Sequence, residues 1–336
     1  MVSHEPVILQ LTAQQDAAIA RHALDQQDLH HAAHHLAGAL AGDPARDEWL
    51  VLLDELIVRA GSPRAALQYV PLSDDTPTYF GTAALRGYVL AMCGYMPEAV
   101  NLLLEVVRQG PYPSYVPWLL GWRDRPGFAG ALEPSLVLFA LTPIVQQCGE
   151  EPACLAHDRQ NLEAILPLCE LATSIHARNA MLWWLHSVTY RKLGRYAEAR
   201  RIAEDGYRAA PDYFTAVAMA MAHKREGHVE AAIAAFQQAL RFQPDDAACR
   251  NDIADTLCEA GRIEEGIHWY AEVLSFEPGH AWALPSYLFY KYLLYPEHTW
   301  VTQLAELART QPDNLRAHEL LHAAGYAGYH KEAAGG

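Results

Sequence analysis

At 336 residues with 51% hydrophobic composition, the chain has the length of two ordinary domains or one extended array and enough apolar material for a core, which excludes a disordered chain. Its formal charge of −15 argues against a nucleic-acid backbone as the main partner, because phosphate binding needs clustered Lys and Arg. No apolar run reaches the ~18 residues of a membrane span, and the start MVSHEPVILQLTAQQ has no basic segment followed by an apolar one. A cytoplasmic protein with no membrane association is therefore expected. Cys93, Cys148, Cys154, Cys169, Cys249 and Cys258 form no CxxC pair, and reduced, packed thiols are expected.

In chain order, the first strong helical pattern is DLHHAAHHLAGALAGDP, where Ala32, Leu36 and Ala39 share a face and Pro44 ends the run. Gly61 lies 17 residues after Pro44 with Ala66 behind it, and this second helix closes early at QYVPLSDDTP. Gly94 opens a clearer unit, with Ala99 and Leu103 on one face, Pro111 at its end and Gly87 in the helix before it. Residues 112 to 158 break the pattern with many prolines. A helix is predicted there from about Pro134 to Cys148, then a loop from Gly149 to Asp158, then a helix Leu162 to Ile175 carrying Ala164 and Leu168.

Beyond that point the pattern becomes periodic. Gly194, Gly227 and Gly261 stand 33 and 34 residues apart, and each is followed 17 residues later by a proline, Pro211, Pro244 or Pro278. A small residue recurs five positions after each glycine (Ala199, Ala232, Gly266), and a second slot four further on holds Ala203, Phe236 and Tyr270. Seven positions before each glycine stands another small residue: Ser187, Ala220, Ala254. The unit is helix, tight turn at Gly, helix, break at Pro, with small residues where paired helices approach closely. Against this ruler Gln27 occupies the glycine place of the first copy. Near the C-terminus Pro312 closes a weaker copy with Trp300 in the small slot, and LRAHELLHAAGYAGYHKEAAGG begins another with a turn expected at Gly328.

This pattern resembles the tetratricopeptide repeat, whose period is about 34 residues. The best copy reads Trp183, His186, Ser187, Tyr190, Gly194, Ala199 and Pro211. The resemblance covers roughly residues 20–111 and 158–333 and implies an all-α fold: a right-handed α-solenoid of helix-turn-helix repeats, in one array or in two sub-arrays joined by 112–132. Three regions are expected: repeats in 1–111, an irregular Pro-rich segment in 112–158, and repeats in 159–336 with the last incomplete. A stop partway through a copy points to a truncated chain, to a following domain or to a frayed natural terminus.

The resemblance also implies function, since in this family the first helices of successive repeats line an inner face that holds extended peptides. Carried over copy by copy, that face takes Trp184, Val188 and Arg191, then Phe214, Val217, Met221 and Lys224, then Asn251 and Asp255, then Trp282 and Phe289. Aromatic and cationic groups side by side suit a protein or peptide partner with apolar and acidic side chains. The expected role is a protein-interaction scaffold or adaptor; the alternative is the substrate-recognition arm of a larger enzyme such as a glycosyltransferase or hydroxylase. Family members that grip chaperone tails place a Lys and an Asn one turn apart on the first helix, and here those places hold Trp184 and Val188, Val217 and Met221, Asn251 and Asp255.

No catalytic motif, cofactor or metal site is expected. GxSxG, HExxH and a Gly-rich phosphate loop are all missing from the sequence. His30, His31, His34 and His35 form i,i+4 pairs, but they surround the buried stripe Ala32, Leu36 and Ala39, so a solvated face is expected rather than a ligand set.

Overall fold

The computed structural model describes residues 11–44, 46–72, 79–109, 113–149 and 155–325. Among these the secondary structure is helical throughout, with 19 α-helices, two short 3-10 turns and no strand. The fold is an all-α solenoid of helical repeats. The chain divides into two compact units, residues 1–194 and 195–336. None of the described helices is long and apolar enough to cross a membrane.

The first unit contains α1 (Ala13–Asp25), α2 (Leu29–Gly42), α3 (Asp47–Arg59), α4 (Pro63–Ala66), α5 (Tyr79–Cys93) and α6 (Met96–Arg108). It continues through α7 (Val116–Gly121), α8 (Phe128–Ala131), α9 (Pro134–Gln147), α10 (Ala156–Ile175) and α11 (Ala180–Lys192). As the early closure at QYVPLSDDTP predicts, α4 is one turn long and passes into a 3-10 turn at Leu67–Tyr69. The proline-rich stretch is not open loop. Tyr115, Leu119, Trp122, Phe128 and Leu132 are buried in the unit's core, and the buried Tyr115 hydroxyl donates to the Leu40 carbonyl at 2.8 Å. In α10 Leu168 is fully buried as expected, together with Ile165 and Ala172, whereas Ala164 is only half-buried.

The second unit is the more regular. It comprises α12 (Tyr196–Ala209), α13 (Tyr213–Arg225), α14 (Val229–Phe242), α15 (Ala247–Glu259), α16 (Ile263–Phe276), α17 (Ala283–Leu294), α18 (His298–Thr310) and α19 (Leu315–Ala323). Each helix packs on the next, and α17 also packs on α19. The helices preceding Pro44, Pro211, Pro244, Pro278 and Pro312 all end two residues before that proline, at Gly42, Ala209, Phe242, Phe276 and Thr310. A side-chain cap then restarts the chain: Asp212, Asp246 and Asn314 accept hydrogen bonds from the first backbone N–H groups of α13, α15 and α19. Four helices that follow a glycine turn lack such a cap, whereas Ser62 after Gly61 caps α4. Gly94, Gly194, Gly227 and Gly261 adopt the left-handed conformation at φ of 74° to 83°, and Tyr95, Arg195, His228 and Arg262 begin α6, α12, α14 and α16 without a side-chain cap.

Small residues mark where helices touch. Ala199, Ala220, Ala232 and Ala254 are fully buried, and Ser187 nearly so. A Cβ added at Gly266 would lie 2.2 Å from Cys258 Sγ and 2.9 Å from the Ala254 carbonyl oxygen, and one at Gly81 would lie 1.8 Å from the Ala37 carbonyl oxygen. These positions tolerate nothing larger than hydrogen. Phe236 and Tyr270, in the larger slot, are fully buried beside them.

Two expectations need correction. Cys148 is disulfide-bonded, so the cysteines are not uniformly reduced thiols; Cys93, Cys169, Cys249 and Cys258 are free. His35 leaves the solvated histidine face and bonds Asp16 Oδ1 through Nδ1 at 2.7 Å, while His30, His31 and His34 stay exposed. At the C-terminus the turn residue is Gly325, at φ 66°; Gly328 lies outside the described residues.

Gln27 stands where the period calls for glycine and is the one non-glycine with positive φ, at 60°, among the described residues. A left-handed residue with a Cβ costs ~1–2 kcal/mol, and glycine there loses some of that gain to greater freedom in the unfolded chain. Gln27→Gly is expected to stabilise the protein by ~0.5–1 kcal/mol in urea unfolding, whereas Gly227→Gln should destabilise it.

Candidate peptide-binding cleft

The candidate site is a cleft of about 420 Å³ in the second unit, built from the end of α13, one face of α15, the turn before α17 and the start of α19. Of the sequence-predicted residues, Met221, Lys224, Asn251, Asp255 and Trp282 line it together. Sequence spacing explains this convergence: Met221 and Lys224 are one turn apart on α13, and Asn251 occupies the corresponding face of α15 in the next repeat. Trp282 stands at the N-terminal end of α17 and is 44% exposed, a large apolar surface left open to a partner.

Asp255 organises the cleft. Its buried carboxylate accepts from the Tyr270 hydroxyl, from Asn251 Nδ2 at 3.1 Å and from Trp282 Nε1 at 3.1 Å, with Arg316 Nη2 3.8 Å away. A carboxylate removed from water needs such compensation, and here three neutral donors and one guanidinium supply it. Arg316 in turn lies over the Trp282 ring at 4.8 Å and donates through Nε to Ser286 Oγ at 3.2 Å. The tryptophan is thereby held between a carboxylate at its edge and a cation on its face. Burial, then the neighbouring Asp255 charge, pushes the Tyr270 hydroxyl far above its ordinary range, so it remains a donor. Burial likewise pushes Tyr290, stacked on Tyr270 at 6.1 Å, up to about 12.

Two features leave capacity for a ligand. Asn251 Oδ1 is buried without a hydrogen-bond partner, an acceptor whose desolvation is uncompensated. Lys224 Nζ pairs with Glu259 Oε1 at 3.2 Å, and the Glu259 side chain is 58% exposed and so exchangeable. The formal charges around the cleft balance, with Lys224, Arg225 and Arg316 against Asp252, Asp255 and Glu259.

The other predicted residues lie elsewhere. Trp184, Val188 and Arg191 are on α11 of the first unit, where Val188 and Arg191 are buried and Trp184 packs partly against the core. In the second unit Phe214 sits edge-on to Tyr213 at 5.4 Å, Val217 packs against the α13–α15 core, and Phe289 packs against the α17–α19 core. Tyr270 and Arg316 are the neighbours of Asp255 and Trp282 that sequence reasoning missed. Tyr270 was legible only as a gap-filling ring, and Arg316 lies in the incomplete last copy, where no repeat register assigned it a face. The free thiols of Cys169, Cys249 and Cys258 are pushed up to about 12 by burial and are protonated at neutral pH.

Residues 225–284, from the end of α13 to the start of α17, match the sequence model of the tetratricopeptide repeat family. This stretch carries tetratricopeptide repeat sequence. The matched stretch holds Asn251, Asp255 and Trp282, so the cleft is built largely from family repeat elements, with Arg316 added from beyond them. Among solved structures, YrrB, described as a tetratricopeptide repeat protein with an unusual peptide-binding site, is 17% identical, with 60% of this chain and 97% of that one covered at a TM-score of 0.43. A tetratricopeptide repeat protein from Parabacteroides merdae is 13% identical, with 92% of this chain and 97% of that one covered at a TM-score of 0.42. No curated protein sequence matches the chain.

The Asp255 network makes a quantitative demand. Tyr270→Phe and Asp255→Asn should each destabilise the chain, and in the double variant the losses should fall short of their sum by ~1–3 kcal/mol. Urea unfolding of the four proteins measures this coupling; strictly additive losses would mean that the two side chains do not share a bond.

Proposed function

We propose that the chain is a protein-interaction scaffold whose second unit binds an extended segment of a partner protein in the cleft around Trp282. The observation that carries this reading is the pairing of an exposed, rigidly held indole with a buried, unpartnered amide oxygen in one concavity. The exposed face of Trp282 and the half-buried Met221 take an apolar side chain, and Asn251 Oδ1 accepts a hydrogen bond from the segment's backbone or amide donor. Lys224 takes a carboxylate of the partner in exchange for Glu259. Such an exchange replaces one exposed ion pair by another and so contributes little net affinity, which makes the charges orienting and the indole the anchor.

This reading narrows the broader face expected from the family resemblance. Val188 and Arg191 are buried, and we assign them to packing rather than to recognition. Phe214, Val217 and Phe289 are half-buried, and we assign them mainly to helix contacts.

A peptide array followed by fluorescence polarisation on the strongest binder tests the proposal. Trp282→Ala should weaken binding by ~30-fold or more, as a hot-spot anchor does. Lys224→Glu should weaken it by less, and the effect should shrink as salt rises. Phe214→Ala should leave affinity within about threefold, the scale of a contact outside the anchor. Equal binding by wild type and Trp282→Ala would remove the cleft from consideration.

A further inference from the structure

On the second unit, next in sequence to the cleft residues Lys224 and Arg225, the turn between α13 and α14 brings together His223, Glu226 and His228, whose ligand-capable atoms all lie within 4.8 Å of one another. We propose that these three side chains form a binding site for a borderline divalent transition-metal ion such as Zn²⁺. The function proposed above makes no use of them.

The argument begins with the turn. Gly227, at φ 76°, lets the backbone N–H of His228 return to the His223 carbonyl at 2.9 Å, while the Gly227 N–H bonds the Lys224 carbonyl at 3.0 Å. This double closure fixes residues 223 and 228 against one another, a place normally taken by an apolar contact. The same backbone bond joins Ala23 to Asp28, Leu90 to Tyr95 and Leu257 to Arg262 in other copies. Only the copy at Gly227 sets two imidazoles across it, with ring centroids 5.7 Å apart and the Glu226 carboxylate between them in sequence.

The side chains are set up for coordination rather than for packing. His223 Nδ1 is buried and has no hydrogen-bond partner, and Nε2 of the same ring lies 3.7 Å from Glu204 Oε1. His228 Nδ1 lies 3.6 Å from Glu226 Oε2. Arg200 bonds Glu226 Oε2 through Nε at 2.6 Å and Glu204 through Nη1 at 3.0 Å, which orients both carboxylates from outside the cluster. Glu204, Glu226 and Arg200 together carry one negative formal charge, so a dication is electrostatically favoured there. Ligands in a tetrahedral Zn²⁺ site stand about 3.3 Å apart, given metal bonds of about 2.0–2.1 Å. Closure from the present separation is within reach of a side-chain rotation of His228, which is 54% exposed. Two imidazoles and one carboxylate make three protein ligands, a set that suits Zn²⁺ or Ni²⁺ over Ca²⁺ or Mg²⁺ and leaves a position for water or for a fourth ligand.

The test is calorimetric titration of the full chain, first stripped with chelator, with Zn²⁺ alone, and with Mg²⁺ as a hard-cation comparison. A site of one ion per chain with a dissociation constant of about micromolar or below is expected, with no comparable site for Mg²⁺. His228→Ala, an exposed substitution that leaves the fold intact, should weaken it by ~10-fold or more, and so should His223→Gln. His31→Ala/His34→Ala, which removes the exposed histidines of α2, should leave it unchanged. An affinity untouched by His228→Ala, a loss produced by the α2 variant alone, or no site tighter than about 100 μM would overturn the assignment.

Discussion

Each hairpin depends on one close approach between its two helices. In the second helix the residue five after the glycine must be small, because it meets the first helix at backbone distance: the Cβ that Gly266 lacks would meet the Ala254 carbonyl oxygen at 2.9 Å. The turn glycine exists to make that approach possible, and the ring of Phe236 or Tyr270 exists to fill what the small residues leave. A residue one methylene too large separates the helices and also displaces the next repeat, since successive helices pack in order. The cleft inherits its geometry from this arrangement. Asn251 and Asp255 lie on the same helix as Ala254, so the spacing that buries Ala254 also sets where the two polar groups point.

The buried polar network shows how a repeat scaffold accommodates a carboxylate in its interior without changing its backbone. Tyr270 fills the large slot of its repeat as Phe236 does in the one before, and the hydroxyl that distinguishes it is spent on Asp255. Asp255 then holds Trp282 by its indole N–H, and Arg316 covers the ring. The polar atoms added around Asp255 find partners inside the unit, with the exception of Asn251 Oδ1.

The periodic parts of the fold were legible in the sequence because the physics there is local. Gly227 with Pro244, and Gly261 with Pro278, mark turn and break by backbone restrictions that need no tertiary context, and Gln27 was readable as standing in a glycine place, where the structure finds a positive φ. The segment after Pro113 was not readable in this way. Its prolines break the repeat pattern, yet Tyr115, Trp122 and Phe128 bury themselves in the unit's core, and periodicity carries no trace of such contacts. The site was half legible for the same reason. Met221, Lys224, Asn251 and Trp282 follow from repeat register, whereas Arg316 reaches the cleft from an incomplete copy and His35 turns to Asp16 across two helices.

The central claim is that the small slot sets the hairpin, and substitution within that slot tests it most directly. Ala232 and the exposed Ala234 share helix α14 and have the same helix propensity, so Ala232→Leu and Ala234→Leu differ only in what the added side chain meets. Urea unfolding should show a loss of ~1–3 kcal/mol for Ala232→Leu and less than about 0.5 kcal/mol for Ala234→Leu. Equal stability of the two variants would contradict the account, because it would mean that the helices of the hairpin do not meet at residue 232.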